Sequence, residues 1–263
     1  MKNIILAIIV LLAFGSISAQ DYSKEKFRTL NNDAFGFGET FEYNIGMKAL
    51  TAGKGYLKIS PDPVTVFGRK CYEIKFGATS TKTVELFFKV RDEFVTYVDL
   101  DGIFPWKYTQ KIREGRYKQD FWAMMDQKRN VAITKDSTYK IPEYVYDALS
   151  AFVSVRAMDL SSKPNGSIIK LQNFWMDTTY KLDVRVVKRE TVKVPAGKFK
   201  CIVVEPHLSG GGLFNSEDKV WIWLTDDDRK IPVKIGTKII IGTVGAELTK
   251  YSGVRGDIKA KID

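Results

Sequence analysis

The chain has 263 residues, 44% of them apolar and 27% charged, and carries a formal net charge of +10 from 41 Lys and Arg against 31 Asp and Glu. That apolar share supports a globular core and excludes a disordered polymer. A single histidine and two cysteines exclude a His-rich metal site and a disulfide-built fold, and the dispersal of Lys and Arg along the chain predicts a basic surface rather than a basic tail.

The N-terminus reads as a secretory signal peptide over residues 1–19: Lys2, an apolar run from Ile4 to Phe14, then Gly15-Ser16-Ile17-Ser18-Ala19. The run is shorter than the roughly 20 residues a membrane helix needs. Cleavage after Ala19 leaves Gln20, where a lipid anchor would require cysteine, so the expectation is an exported protein of the periplasm or outer-membrane periphery, soluble and without a transmembrane segment after cleavage. Export excludes nucleic acid as a partner, whereas anionic lipid head groups or polysaccharide suit the positive charge.

Residues 20–36 form a polar leader, 37–255 a single β domain and 256–263 a tail. Period-two alternation dominates the domain: Val84, Leu86, Phe88 and Val90 against Thr83, Glu85 and Lys89, and Tyr180, Leu182, Val184 and Val186 against Lys181, Asp183 and Arg185. These predict half-buried antiparallel strands. Turns fall at Thr51-Ala52-Gly53, Ser60-Pro61-Asp62-Pro63, Phe67-Gly68, Asp101-Gly102, Glu114-Gly115, Pro195-Ala196-Gly197 and Asp226-Asp227-Asp228, which predicts roughly a dozen strands. Val145, Ala148, Leu149, Phe152 and Val155 recur at helical spacing after Pro142-Glu143, predicting one helix over 144–158 whose apolar stripe must be buried. The fold class is mainly β: a curved antiparallel sheet or half-barrel of two related lobes, 37–140 and 167–251, wrapped over one central α-helix. The lobe reading rests on Gly68-Arg69-Lys70-Cys71 matching Gly197-Lys198-Phe199-Lys200-Cys201, each followed by an aromatic-rich strand and a charged turn; any antiparallel meander also repeats such phrases.

Chemistry-bearing residues are sparse. Cys71 alternates with the polar face of its strand while Cys201 shares a face with Phe199 and Val203, so two unpaired thiols are expected rather than a Cys71–Cys201 disulfide. His207 lies at a strand end ahead of Gly210-Gly211-Gly212, without a G-x-S-x-G nucleophile elbow, and reads as a surface histidine. Asp226-Asp227-Asp228 lacks the spread ligands and distal Glu of a calcium loop and reads as a charged hairpin turn. Glu39 with Glu42, or Asp99 with Asp101, could supply the carboxylate pair of a glycan hydrolase, but spacing alone brings no such pair together. No catalytic residue, metal ligand or cofactor is assigned. The 16 Phe, 12 Tyr and 5 Trp are more suggestive: Trp106, Trp122 and Trp175 near strand ends, Trp221 and Trp223 on one strand face and Phe152 on the helix are the candidate ligand-binding residues of an apolar cleft.

Phe37-Gly38-Glu39-Thr40-Phe41-Glu42-Tyr43 with Ala52-Gly53-Lys54-Gly55, and Val194-Pro195-Ala196-Gly197-Lys198-Phe199-Lys200-Cys201 followed by Val220–Leu224 and Ile231-Pro232-Val233-Lys234, resemble the domain of unknown function 3108 family over roughly 37–251. The resemblance implies an exported envelope protein of antiparallel sheet, similar in architecture to lipoprotein carriers in which an incomplete barrel closes over a helix, and it transfers no catalytic residue. The functional expectation is non-catalytic binding of a lipid or other apolar ligand, with a scaffold for another envelope protein as the alternative and a glycan hydrolase as the third.

Overall fold

The computed structural model describes residues 20–47, 50–209, 219–239 and 242–262. The signal-peptide segment 1–19, the triglycine loop and Leu213-Phe214 lie outside the described residues. The chain forms β1 (Thr40–Met47), β2 (Leu50–Ile59), β3 (Val64–Val66), β4 (Arg69–Ser80), α1 (Lys82–Glu85), β5 (Arg91–Asp99), β6 (Pro105–Glu114), β7 (Tyr117–Asp126), β8 (Val131–Thr134) and β9 (Thr138–Lys140). After α2 (Ala148–Ala157) come β10 (Ile168–Trp175), β11 (Thr178–Val194), β12 (Gly197–Ser209), β13 (Val220–Thr225), β14 (Pro232–Ile239), β15 (Gly242–Ser252) and β16 (Lys261–Ile262). All sixteen strands of the described residues belong to one antiparallel sheet, ordered β10-β11-β12-β13-β14-β15-β1-β2-β4-β5-β6-β7-β8-β9, with β3 beside β4 and β16 beside β12.

Two successive meanders thus meet where β15 pairs β1. Among the described residues the end strands β9 and β10 do not pair with each other, so the sheet is open rather than a closed barrel. The segment leading into α2 bridges part of the gap: Tyr146 forms a parallel bridge with Asn173 of β10. Register shifts at Glu42/Tyr43, Tyr97/Val98, Val186/Lys188 and Trp223/Leu224 increase local twist and bend the strands. Turn chemistry is local: Phe67-Gly68 joins Val66 to Arg69 with both residues at positive φ, 50° and 74°, the two-residue geometry that matches strand twist.

The alternation of β11 is realised, with Leu182, Val184 and Val186 buried together against Ile202 and Val204 of β12. That of 84–90 is not. Strand pairing runs from Cys71↔Asp99 to Thr79↔Arg91, which makes 81–90 the connection between β4 and β5. It forms the single turn α1 and leaves Leu86, Phe87 and Phe88 exposed. Thr51-Ala52-Gly53 likewise lies inside β2 rather than at a turn.

The polar leader is part of the packed structure. Tyr22 donates its backbone N–H to Phe67 O and its hydroxyl to Asp126 Oδ2, at 2.7 Å each, and Tyr22, Phe27 and Phe67 surround Trp106. Cys71 lies fully buried in this cluster. The alternation that set Cys71 opposite Tyr72 and Ile74 is real, but that face is covered by a segment some fifty residues earlier in the chain. Among the described residues no helix is long and apolar enough to cross a membrane.

Candidate functional site: an apolar cavity beside the helix

The helix α2 starts four residues inside its expected boundary because Asp147 caps it. Its Oδ1 accepts from the N–H groups of Leu149 and Ser150, at 2.9 Å each, and the Ser150 hydroxyl accepts from the Asp147 N–H at 3.0 Å. This reciprocal arrangement satisfies helix donors that would otherwise be orphaned. The preceding residues 144–146 are not helical: Tyr144 has φ 54° and Tyr146 is held on β10. Thr96 of β5 donates to Asp147 Oδ2 at 2.6 Å, tying the cap to the sheet. Burial raises the Asp147 carboxyl above its usual value, against the opposing effect of these hydrogen bonds.

At the other end of α2, Arg156 is fully buried and forms a bidentate pair with fully buried Glu39, at 2.7 and 3.0 Å. It also donates to the carbonyls of Ala34, Arg229 and Lys230, with Phe35 and Phe41 rings 5.4 and 5.3 Å away. Every face of the guanidinium is engaged, which offsets the desolvation a buried charge incurs.

Between these anchors the helix does not fill the concavity. A cavity of about 240 Å³ lies between Ala148, Leu149, Ala151, Phe152 and Val155 of α2 and an apolar wall that includes Leu57, Phe76, Phe94, Leu182, Val204, Leu208, Ile222 and Leu224. No charged side chain lines it among the described residues. Of its polar side chains, the Tyr43 hydroxyl donates to Pro232 O at 2.9 Å and that of Tyr108 to Gln110 Oε1 at 3.0 Å, while Asn173 and His207 also line it. Burial pushes both phenols well above their ordinary range. Exposed His207 lines the cavity beside Leu208 and Pro206. Among the described residues such a wall offers apolar contact and pairs no acid, base or nucleophile for catalysis.

Of the six aromatic candidates, Phe152 lines the cavity. Trp106 is the extra residue of the bulge where Tyr97 faces Lys107 and Val98 faces Pro105. The bulge breaks the alternation, and Trp106 sits under the N-terminal segment with its Nε1 donating to Asp99 Oδ2 at 2.9 Å. Trp122 is partly exposed on β7, opposite the face that buries Ala123 and Met125. Trp175 ends β10 with its Nε1 buried and unpartnered among the described residues. Trp221 and Trp223 alternate with the cavity-lining Val220, Ile222 and Leu224, and Trp223 Nε1 donates to Glu190 Oε1 at 2.7 Å. Large aromatics were the conspicuous signal; the wall is mostly aliphatic, and its signal was the alternation in β11 and β13 combined with the helix stripe.

The remaining candidates have structural roles. Glu39 is paired with Arg156, and Asp99 and Asp101 both bind Arg69. Asp227 accepts from the Thr225 hydroxyl and the N–H groups of Arg229, Lys230 and Ala260, so the acidic run organises a turn. Cys71 and Cys201 are free, buried thiols, each pushed up to about 12 by burial. Among the described residues no three His, Cys, Asp or Glu side chains gather as a metal site.

Fold and cavity together define a barrel-like β protein with an open sheet and an apolar interior. The family model for Protein of unknown function (DUF3108) matches residues 42–249, and the chain belongs to that family. No curated protein matches the sequence. Among solved structures it is similar to a beta-barrel-like protein of domain of unknown function DUF1849 from Brucella abortus, at 9% identity, covering 87% of this chain and 99% of that one, with TM-score 0.51. It also matches a hypothetical protein from Chlamydia trachomatis at 8% identity, covering 86% and 92%, TM-score 0.37. A protein with YmcC-like fold from Bacteroides fragilis follows at 10% identity, covering 86% and 100%, TM-score 0.33.

Proposed function

We propose that this is an exported protein of the bacterial envelope that binds the apolar part of a lipid in the cavity beside α2, without catalysing a reaction. The carrying observation is the cavity of about 240 Å³ beneath a capped and anchored helix, with a wall free of charged side chains among the described residues. Apolar space disfavours water, because water entering it would forfeit hydrogen bonds, and favours a hydrocarbon chain. The signal-peptide pattern of 1–19 supports export. In this reading the sheet wraps α2 as two lobes, 37–140 and 167–251, each supplying part of the wall: Leu57, Phe76 and Phe94 from the first, Leu182, Val204 and Ile222 from the second.

Native mass spectrometry of the gently purified protein and displacement of a fluorescent fatty acid test the proposal. The wild type should carry or take up one apolar ligand, and Ile222→Trp, which takes up part of the cavity, should sharply reduce uptake while melting cooperatively. A wild type that neither retains lipid nor binds the probe overturns it.

A further inference from the structure

The exposed apolar side chains are unevenly distributed. Leu30, Trp122 and Ile168 are exposed singly, whereas Leu50, Leu86, Phe87, Phe88 and Tyr117 lie at one rim of the sheet, where β2 begins, β4 ends into the α1 connection, and β6 turns into β7. Leu86 and Phe87 are 81% and 88% exposed at the tip of that connection. Phe88 lies over Gly115 of the neighbouring turn, whose N–H donates to Lys89 O at 2.8 Å, so the two loops form one projection. This rim also carries the β12 end and the β13 start, from which the cavity-lining Leu208 and Val220 come.

The charge around the projection is net basic. Lys82, Lys89, Arg116 and Lys118 are exposed, and none is ion-paired among the described residues. Of the neighbouring acids, Glu85 and Asp120 pair with Arg91 and Arg113, at 2.7 Å each, Asp92 accepts from the Arg113 N–H at 2.9 Å, and exposed Glu114 has no ion pair among the described residues. Consecutive exposed apolar residues are costly in water. Beneath a basic collar they fit a surface that is anionic at the boundary and apolar behind it. A protein partner would need complementary acids and a shaped pocket; a bilayer needs neither, and a projecting tip suits it better than a flat patch does.

We propose that this rim docks on an anionic membrane surface, with Leu86 and Phe87 entering the acyl boundary and Lys82, Lys89, Arg116 and Lys118 meeting the phosphates. Docking does not depend on the cavity being a lipid site, and the two are read out separately: vesicle binding here, probe displacement in vesicle-free solution there.

The test is co-sedimentation of the purified protein with vesicles of phosphatidylcholine alone or mixed with phosphatidylglycerol. Expected is binding to the anionic vesicles that weakens at high salt and falls at least about tenfold in Leu86→Ser/Phe87→Ser. Lys82→Glu/Lys89→Glu should lose the anionic preference, again by about tenfold. Both pairs are exposed, so unchanged melting curves separate docking from folding. Absence of wild-type binding to anionic vesicles overturns the proposal, as does undiminished binding by the Ser variant. A Ser variant that alters only self-association in sedimentation velocity, with no vesicle binding by either protein, also overturns it and makes the tip a protein contact.

Discussion

The two ends of α2 are built to opposite specifications. Around Arg156 every polar atom is matched and the side chain is enclosed by Glu39, three carbonyls and two rings. Around Leu149 and Phe152 the same helix borders the apolar cavity. A ten-residue helix is too short to be stable alone, so the packed end and the Asp147 cap must hold it where it lines the concavity without filling it. Stability and binding space are thus divided along one element, and substitutions on the two sides should behave differently.

The largest effect is expected at the ion pair. Arg156→Ala should destabilise by about 3–5 kcal/mol, because it strands a buried carboxylate. The paired change Arg156→Met/Glu39→Leu should recover only part of this, since the carbonyls of Ala34, Arg229 and Lys230 lose their donor; full recovery in denaturant titrations would contradict the assigned role of those carbonyls. Next comes packing. Val153→Phe, on a fully buried site of the main core, should cost about 1–3 kcal/mol, whereas Ile222→Trp, which enters the cavity, should stay within about 1 kcal/mol of wild type. Equal losses in chemical denaturation would mean the cavity is as tightly packed as the core.

The cap gives a smaller, pH-dependent effect. The Asp147 carboxyl is raised in the folded state, so as pH climbs from the unfolded value near 3.8 the unfolded chain ionises first and this group's contribution to stability falls. Asp147→Asn keeps an acceptor for Leu149 and Ser150 and removes that penalty. Its stability relative to wild type should therefore rise with pH across the carboxylate range and level off above the folded value. Asp147→Ala should cost about 1–2 kcal/mol through loss of the cap. A pH-independent difference between the Asn variant and wild type would sink the burial argument. Least perturbing is a chemical probe: the Cys71 and Cys201 thiols, both pushed up to about 12, should resist alkylation at pH 8 in the native protein and react in denaturant. Rapid native labelling of either would show that its cluster opens.

Much of the framework was legible because it depends on local period and turn chemistry. The β11 face, Phe67-Gly68 and the stripe Ala148–Leu149–Phe152–Val155 read correctly from neighbouring residues alone, and the family resemblance rested on such phrases as Val194–Cys201. The helix start was misread because Val145 fits the stripe, although Asp147 with Ser150 is a capping signal in its own right. The 84–90 alternation misled for a different reason: period two describes a strand only where a partner is available, and β4 pairs with β5 up to Arg91. Trp106 departed from the rim because a bulge reverses alternation, and a bulge has no mark in the alternating pattern itself.

Sequence alone determined a mainly β chain and its DUF3108 membership, because composition, period and turn residues act over a few positions. Tertiary structure alone decided that Arg156 meets Glu39, that residues 20–36 cover Cys71 and Trp106, and that a cavity survives beside α2. These depend on groups brought together from distant parts of the chain, and on volume left over after packing, which no local pattern encodes.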